Sequence, residues 1–274
     1  MKFLFEQVDL DKVINNTLEL VNVQDTAGDT VEVASLYEKL LKQAGFIVEK
    51  YEFIPDNPTL IGRYQEKTNP EGKTLLFNGH MDVITLDHTP PYVEDGKIYG
   101  RGTCDMKGSL ASILEVVRVL ELSKSVVNGE IIVIANSMHE SPGGRGEDLI
   151  ALTKNLELQA DAAVVMEGAT YDCTVAQLGS ATFNVTIERD GQPSHQLYTP
   201  DRTPHPITVL ADVVEALDQE NDNLRKLKIE DIGYGSYFIG QVQSGAFYNQ
   251  MPNQSFLEGV RRYGPSESYN DVEG

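Results

Sequence analysis

The chain has 274 residues, 41% of them hydrophobic, with 22 basic against 42 acidic side chains and a net charge of −20. This length and apolar content supply one large or two ordinary packed domains, and the negative charge repels phosphate backbones and anionic lipid surfaces, which excludes nucleic acid and membrane partners. Glu6, Asp9 and Asp11 interrupt the apolar start before it can form an export signal, no apolar run reaches the roughly 18 residues of a bilayer span, and the only cysteines are Cys104 and Cys173, so a cytoplasmic setting is expected.

Leu10 to Val21 places Val13, Leu18 and Val21 at helical spacing, and Val31, Leu36, Leu40 and Leu41 repeat the pattern up to a stop at Gly45. Three strand-length runs follow, at Leu75–Phe77, Ile131–Ala135 and Ala162–Met166. Each is apolar on both faces, as in a sheet covered by helices on both sides. A helix from Lys107 to Leu122 stands between the first two, carrying Leu110, Ile113, Leu114, Val117 and Leu120 on its apolar stripe. Residues 1–174 therefore read as a layered α/β domain with a mixed sheet. Beyond it Phe183, Val185 and Ile187 alternate with polar residues, Pro206 to Leu217 reads as a helix, and Tyr237–Val242 and Phe256–Arg262 read as strands. Residues 175–274 thus form a smaller α+β domain, with Asn221 to Gly235 as a polar connector.

Each apolar run ends in polar groups: His80 and Asp82, then His139 and Glu140, then Glu167. Open α/β sheets place their chemistry at the carboxyl ends of strands, so these residues are expected in one crevice. Neutral imidazole with carboxylates is the donor set of catalytic zinc, and an Asp behind the ligating His holds its ring. A glycine-rich turn, Gly100 to Gly108, delivers Asp105 to the mouth of the following helix, where alone it would read as an N-cap. Cys104 has no second Cys or His at close spacing and is not expected to bind metal.

His80-Met81-Asp82 followed by Tyr99-Gly100-Arg101-Gly102-Thr103-Cys104-Asp105-Met106-Lys107-Gly108 resembles the signature of the co-catalytic zinc metallopeptidases, the family of acetylornithine deacetylase, succinyl-diaminopimelate desuccinylase, aminoacylase and glutamate carboxypeptidase. The resemblance implies a zinc-exopeptidase catalytic domain with an inserted ferredoxin-like lid and dimerisation domain. It implies Zn2+, with Co2+ or Mn2+ as alternatives, bound by His80, Asp105 and Glu167. Asp105 would bridge to a second zinc, and Asp82 would steady His80. The family's Asp-Glu-Glu triplet falls on His139-Glu140-Ser141. Registering the following glycines makes Glu140 the general base and puts Ser141, a poor ligand, at the second zinc; a slipped register would make Glu140 a ligand and His139 the base, and His139 could also replace the missing ligand.

The resemblance extends to Gly191-Gln192-Pro193-Ser194-His195, whose histidine would stabilise the oxyanion in a partner's site and so implies a homodimer. It also covers Asn249-Gln250-Met251-Pro252 and Arg262, 13 residues on, which would orient substrate by a bidentate grip on its carboxylate. It implies a second lid helix, a last strand and a final zinc-binding histidine after Arg262; none is found in the remaining residues, so the C-terminus reads as incomplete. The expected function is hydrolysis of amide bonds in N-acyl amino acids or small peptides, against a degenerate, non-catalytic metal-binding or interaction protein.

Overall fold

A computed structural model describes residues 2–65, 71–123, 129–140, 144–168, 174 and 176–273. Ser141 and Cys173 lie outside the described residues. The chain divides into two compact units, Met1–Tyr171 and Asp172–Gly274.

The first unit runs α1 (Lys2–Phe5), α2 (Leu10–Asn22), α3 (Val31–Ala44), β1 (Ile47–Ile54), β2 (Asn57–Tyr64), β3 (Lys73–His80), β4 (Tyr92–Glu94), β5 (Lys97–Tyr99), α4 (Gly108–Leu122), β6 (Gly129–Asn136), α5 (Glu147–Asn155) and β7 (Ala162–Val165). Asp9 caps α2 by accepting the N–H of Lys12, and Gly45 ends α3 in the left-handed region at φ 104°, where a side chain would be strained. The main sheet has the order β1-β2-β6-β3-β7; β1, β2 and β6 pair antiparallel, and β3 pairs parallel with both β6 and β7.

Strand β6 explains the layering. Its side chains alternate: Ile131, Val133 and Ala135 join the core formed with α2, α3 and α4, while Ile132 and Ile134 join Leu152 of α5 and Ile61 of β2. Burying each of these isoleucine, valine and leucine side chains stabilises the fold by about 1.5–3 kcal/mol, which makes β6 the spine of the unit. The helices and strands expected at α2, α3, α4, β3, β6 and β7 are present. One feature of the expected pattern fails: all four residues of β7 are exposed, because it is the edge strand and neither face is covered among the described residues.

The second unit runs β8 (Gly179–Glu188), β9 (Ser194–His195), α6 (Pro206–Lys226), β10 (Ser236–Ser244), β11 (Gln250–Met251), β12 (Gln254–Tyr263) and α7 (Tyr269–Glu273). An antiparallel sheet of order β10-β12-β8 and a short β9–β11 ladder form its strands. Helix α6 is longer than its apolar stripe predicts, running into the first part of the expected connector as far as Lys226. Its polar end docks through Asn221, which donates to the Tyr237 carbonyl at 2.9 Å and accepts the Tyr237 N–H at 2.7 Å, and through buried Leu224. No helix among the described residues is long and apolar enough to cross a membrane.

Candidate metal centre

Parallel pairing sets the carboxyl ends of β3, β6 and β7 along one edge: His80 is the register partner of Asn136, and Asn78 that of Val165. Asp82, the pair His139 and Glu140, and Glu167 leave the sheet at that edge. Asp105 arrives from the irregular turn before α4. It does not cap that helix, since the residue at the cap position is Lys107.

The centre forms around His80, which is buried. Its Nδ1 lies 3.0 Å from the backbone carbonyl of Asp82, which fixes the proton on that nitrogen, with Asp82 Oδ1 at 3.4 Å. The carboxylate of Asp82 therefore backs His80 through a longer contact than its own main chain makes. Oδ2 of Asp82 accepts the N–H groups of His139 at 3.0 Å and Glu140 at 2.8 Å. On the other side His80 Nε2 faces Asp105 Oδ1 at 2.9 Å and Glu167 Oε2 at 3.1 Å.

The electrostatics call for a cation. Burial lowers the basicity of His80, yet the carboxylates of Asp82 and Glu167 override it and push its pKa up to about 10. Glu167 is lowered, first by its hydrogen bond to His80. Glu140, half-buried, is pushed up to about 6 by burial and then by the negative charge of Asp105. An imidazole that already donates from Nδ1 and turns Nε2 to two carboxylates needs either a proton or a metal ion on Nε2, and imidazole with carboxylate oxygen is the donor chemistry of divalent zinc. Ligand atoms of His80, Asp105 and Glu140 lie within 4.8 Å of one another, as do those of His80, His139 and Glu167. His139 stacks its ring on His80, centroids 4.3 Å apart. Cys104 is exposed with a free thiol.

In the second unit the structure brings His195 and Asn249 together. The β9–β11 ladder pairs His195 with Gln250, and Asn249 Nδ2 lies 3.1 Å from His195 Nε2. Arg262 is exposed towards the other end of β12, eight residues beyond Gln254, or about 26 Å at about 3.3 Å per residue. Its neighbour Arg261 is buried against Tyr237 and ion-paired to Glu267 at 2.8 Å.

A mixed α/β sheet with His, Asp and Glu side chains gathered at its strand ends defines an α/β protein with a candidate metal site. Peptidase family M20/M25/M40 matches residues 76–256, and the chain belongs to this family, which is metal-dependent. Among solved structures, the dipeptidase Dug1p from Saccharomyces cerevisiae is similar at 17% identity and TM-score 0.77, over 98% of this chain and 73% of that one. An M20 family metallo-carboxypeptidase from Sulfolobus solfataricus is similar at 18% identity and TM-score 0.72, over 96% and 74%. A dinuclear metal-binding peptidase of the M20 family from Bacillus subtilis is similar at 15% identity and TM-score 0.57, over 96% and 66%. At these identities the likeness is one of fold.

Proposed function

We propose that this chain is a Zn2+-dependent hydrolase of amide bonds in N-acyl amino acids or small peptides, of deacylase or carboxypeptidase type, acting as a cytoplasmic homodimer. Residues 1–174 form the metal-binding catalytic domain and residues 175–274 the lid and dimerisation domain. The observation that carries the reading is the convergence of the His80 imidazole with the Asp105 and Glu167 carboxylates at the strand ends.

His80, Asp105 and Glu167 hold the metal, and Asp82 fixes both the His80 ring and the backbone of Glu140. Bound there, Zn2+ supplies Lewis-acid polarisation of the scissile carbonyl and acidifies the attacking water. Glu140 takes the water's proton and passes it to the leaving amine, and a cation held beside its carboxyl keeps it ionised, as a base must be. His195, oriented by Asn249, donates to the oxyanion, and Arg262 grips the substrate carboxylate. Arg262 stands towards the end of β12 away from Gln254, and the His195–Asn249 pair belongs to the separate β9–β11 ladder. In the homodimer that the family resemblance implies, the pair serves the neighbouring subunit.

The test measures bound zinc and the hydrolysis of dipeptides and N-acetyl amino acids by the wild type and Glu140→Gln. Bound zinc with turnover that is lost in the variant is expected. Bound zinc without turnover on any of these substrates identifies a non-catalytic metal-binding relative instead.

A further inference from the structure

Asp148 is fully buried at the second position of α5, and no step above uses it. Its Oδ2 accepts the backbone N–H of Ser137 at 2.6 Å and the hydroxyl of Thr59 at 3.0 Å, and its Oδ1 accepts the N–H of Leu149 at 2.9 Å. One carboxylate thus joins β2, the first residue beyond β6, and α5. Ser137 is buried too, and its hydroxyl donates to the Pro58 carbonyl.

Three residues after Ser137 stands Glu140, whose N–H is held from the other side by Asp82 at 2.8 Å. The same stretch is tied to the residues that lead into α5: Gly146 N–H donates to the Met138 carbonyl at 2.6 Å and Gly144 N–H to the Glu140 carbonyl at 2.8 Å. A Cβ on Gly144 would lie 2.4 Å from the Met138 carbonyl carbon, so the approach admits only glycine. A buried N–H without a partner carries a desolvation penalty; without Asp148, Ser137 could meet its N–H requirement only by moving.

We propose that Asp148 is a positioning residue for Glu140: by holding the Ser137 N–H against β2 and α5 it fixes the direction in which the chain leaves β6, and with it the place of the Glu140 carboxylate beside His80 and Asp105. The kinetic part of this inference rests on the hydrolase reading; the structural part does not.

Hydrogen exchange and steady-state kinetics on the full-length, metal-loaded wild type, Asp148→Asn, Glu140→Gln and the double variant test it. Asparagine offers one acceptor oxygen in place of two, so it must turn an amide N–H towards the Ser137 or the Leu149 N–H. In Asp148→Asn, exchange of the amides of residues 137–140 is expected to quicken about tenfold or more, with residues 75–77 of β3 unchanged. Turnover is expected to fall about tenfold to hundredfold, with KM held within about twofold. On the Glu140→Gln background Asp148→Asn should add no further loss, because Asp148 acts through Glu140. Wild-type exchange at residues 137–140 in Asp148→Asn, or losses that multiply in the double variant, overturns the proposal. Thr59→Val keeps the Ser137 bond and gives a smaller shift in the same direction; it decides the matter if Asp148→Asn does not fold. Should the wild type cleave no amide substrate, the hydrolase reading fails and exchange alone decides the role of Asp148.

Discussion

Asp82 Oδ2 accepts the backbone N–H of Glu140 at 2.8 Å, while Oδ1 of the same buried carboxylate stands 3.4 Å from the His80 ring. One side chain therefore spaces the proposed base from a proposed metal ligand. Asp82→Ala leaves the N–H groups of His139 and Glu140 without this acceptor, and the variant should lose about 1–3 kcal/mol of stability for an orphaned group. Urea unfolding measures that loss; a midpoint equal to the wild type's would show that the carboxylate holds nothing.

Removing metal should cost stability directly. A cation that binds only the folded chain at a hundred times its Kd adds about 2.7 kcal/mol. Without it His80 Nε2 faces Asp105 and Glu167 carboxylates that call for positive charge. A chelator is expected to lower the melting temperature, and Zn2+ to restore it. In His80→Ala neither addition should move the melting temperature.

Much of this centre is legible in the sequence, because each of its residues follows a recognisable signal. His80, Glu140 and Glu167 each follow an apolar run within a few residues, and Asp105 sits inside a glycine-rich turn. Strand order decides whether such signals meet, and parallel pairing of β3 with β6 and β7 supplies that. What the sequence conceals depends on partners far along the chain. The β1–β2 hairpin has no uninterrupted apolar run, because β1 is half exposed. The last turns of α6 look like a polar linker until Asn221 meets Tyr237. Asp148 reads as an ordinary acid in the first turn of a helix, and only its burial beside Ser137 and Thr59 marks it. His139 is legible as a possible base or ligand, but its stacking on His80 needs the fold.

Asp148 makes its own contribution to the pH dependence of stability. Burial raises its pKa in the folded chain, while hydrogen bonds from Ser137, Thr59 and Leu149 oppose the shift only in part. An acid held above its unfolded value of about 4 binds its proton more tightly when folded. Its ionisation favours the folded state least once pH exceeds the folded pKa, so stability is lost as pH rises from the unfolded value through the folded one. Asp148→Asn has no such proton. The wild type's stability relative to the variant should therefore be greatest below about pH 4 and decline as pH rises through that window. Urea midpoints of both proteins at a series of pH values report it, and a difference that grows with pH would reverse the assigned direction.

Tyr37 offers a test of the core that is independent of the metal. Its ring is fully buried between the helices, and its hydroxyl donates to the Leu110 carbonyl at 3.0 Å, tying α3 to α4. Tyr37→Phe keeps the ring and removes the bond, so the expected loss is about 1 kcal/mol, or a melting shift of about 2–4 °C. Metal content should be unchanged. A larger fall would mean that the hydroxyl supports more than the helix pair.

The adjacent arginines of β12 separate binding from folding. Arg261 is buried, ion-paired to Glu267 at 2.8 Å and set 4.9 Å above the Tyr237 ring, so its head group is already engaged. Arg262 points to the opposite face of the strand and is exposed. If Arg262 holds the substrate carboxylate, Arg262→Ala should lower kcat/KM about tenfold or more, through the loss of charge-assisted hydrogen bonds worth about 1.5–3 kcal/mol, with the melting temperature unmoved. Arg262→Lys should recover only part of the loss, since an ammonium group cannot form the two parallel bonds of a guanidinium. Arg261→Ala should show the reverse pattern, a lower melting temperature from unpairing Glu267 and uncovering Tyr237. Kinetics and thermal melts on the three variants decide between the two residues: a kcat/KM loss confined to Arg261→Ala would move the carboxylate grip to the buried arginine and would require the Glu267 pair to open during binding.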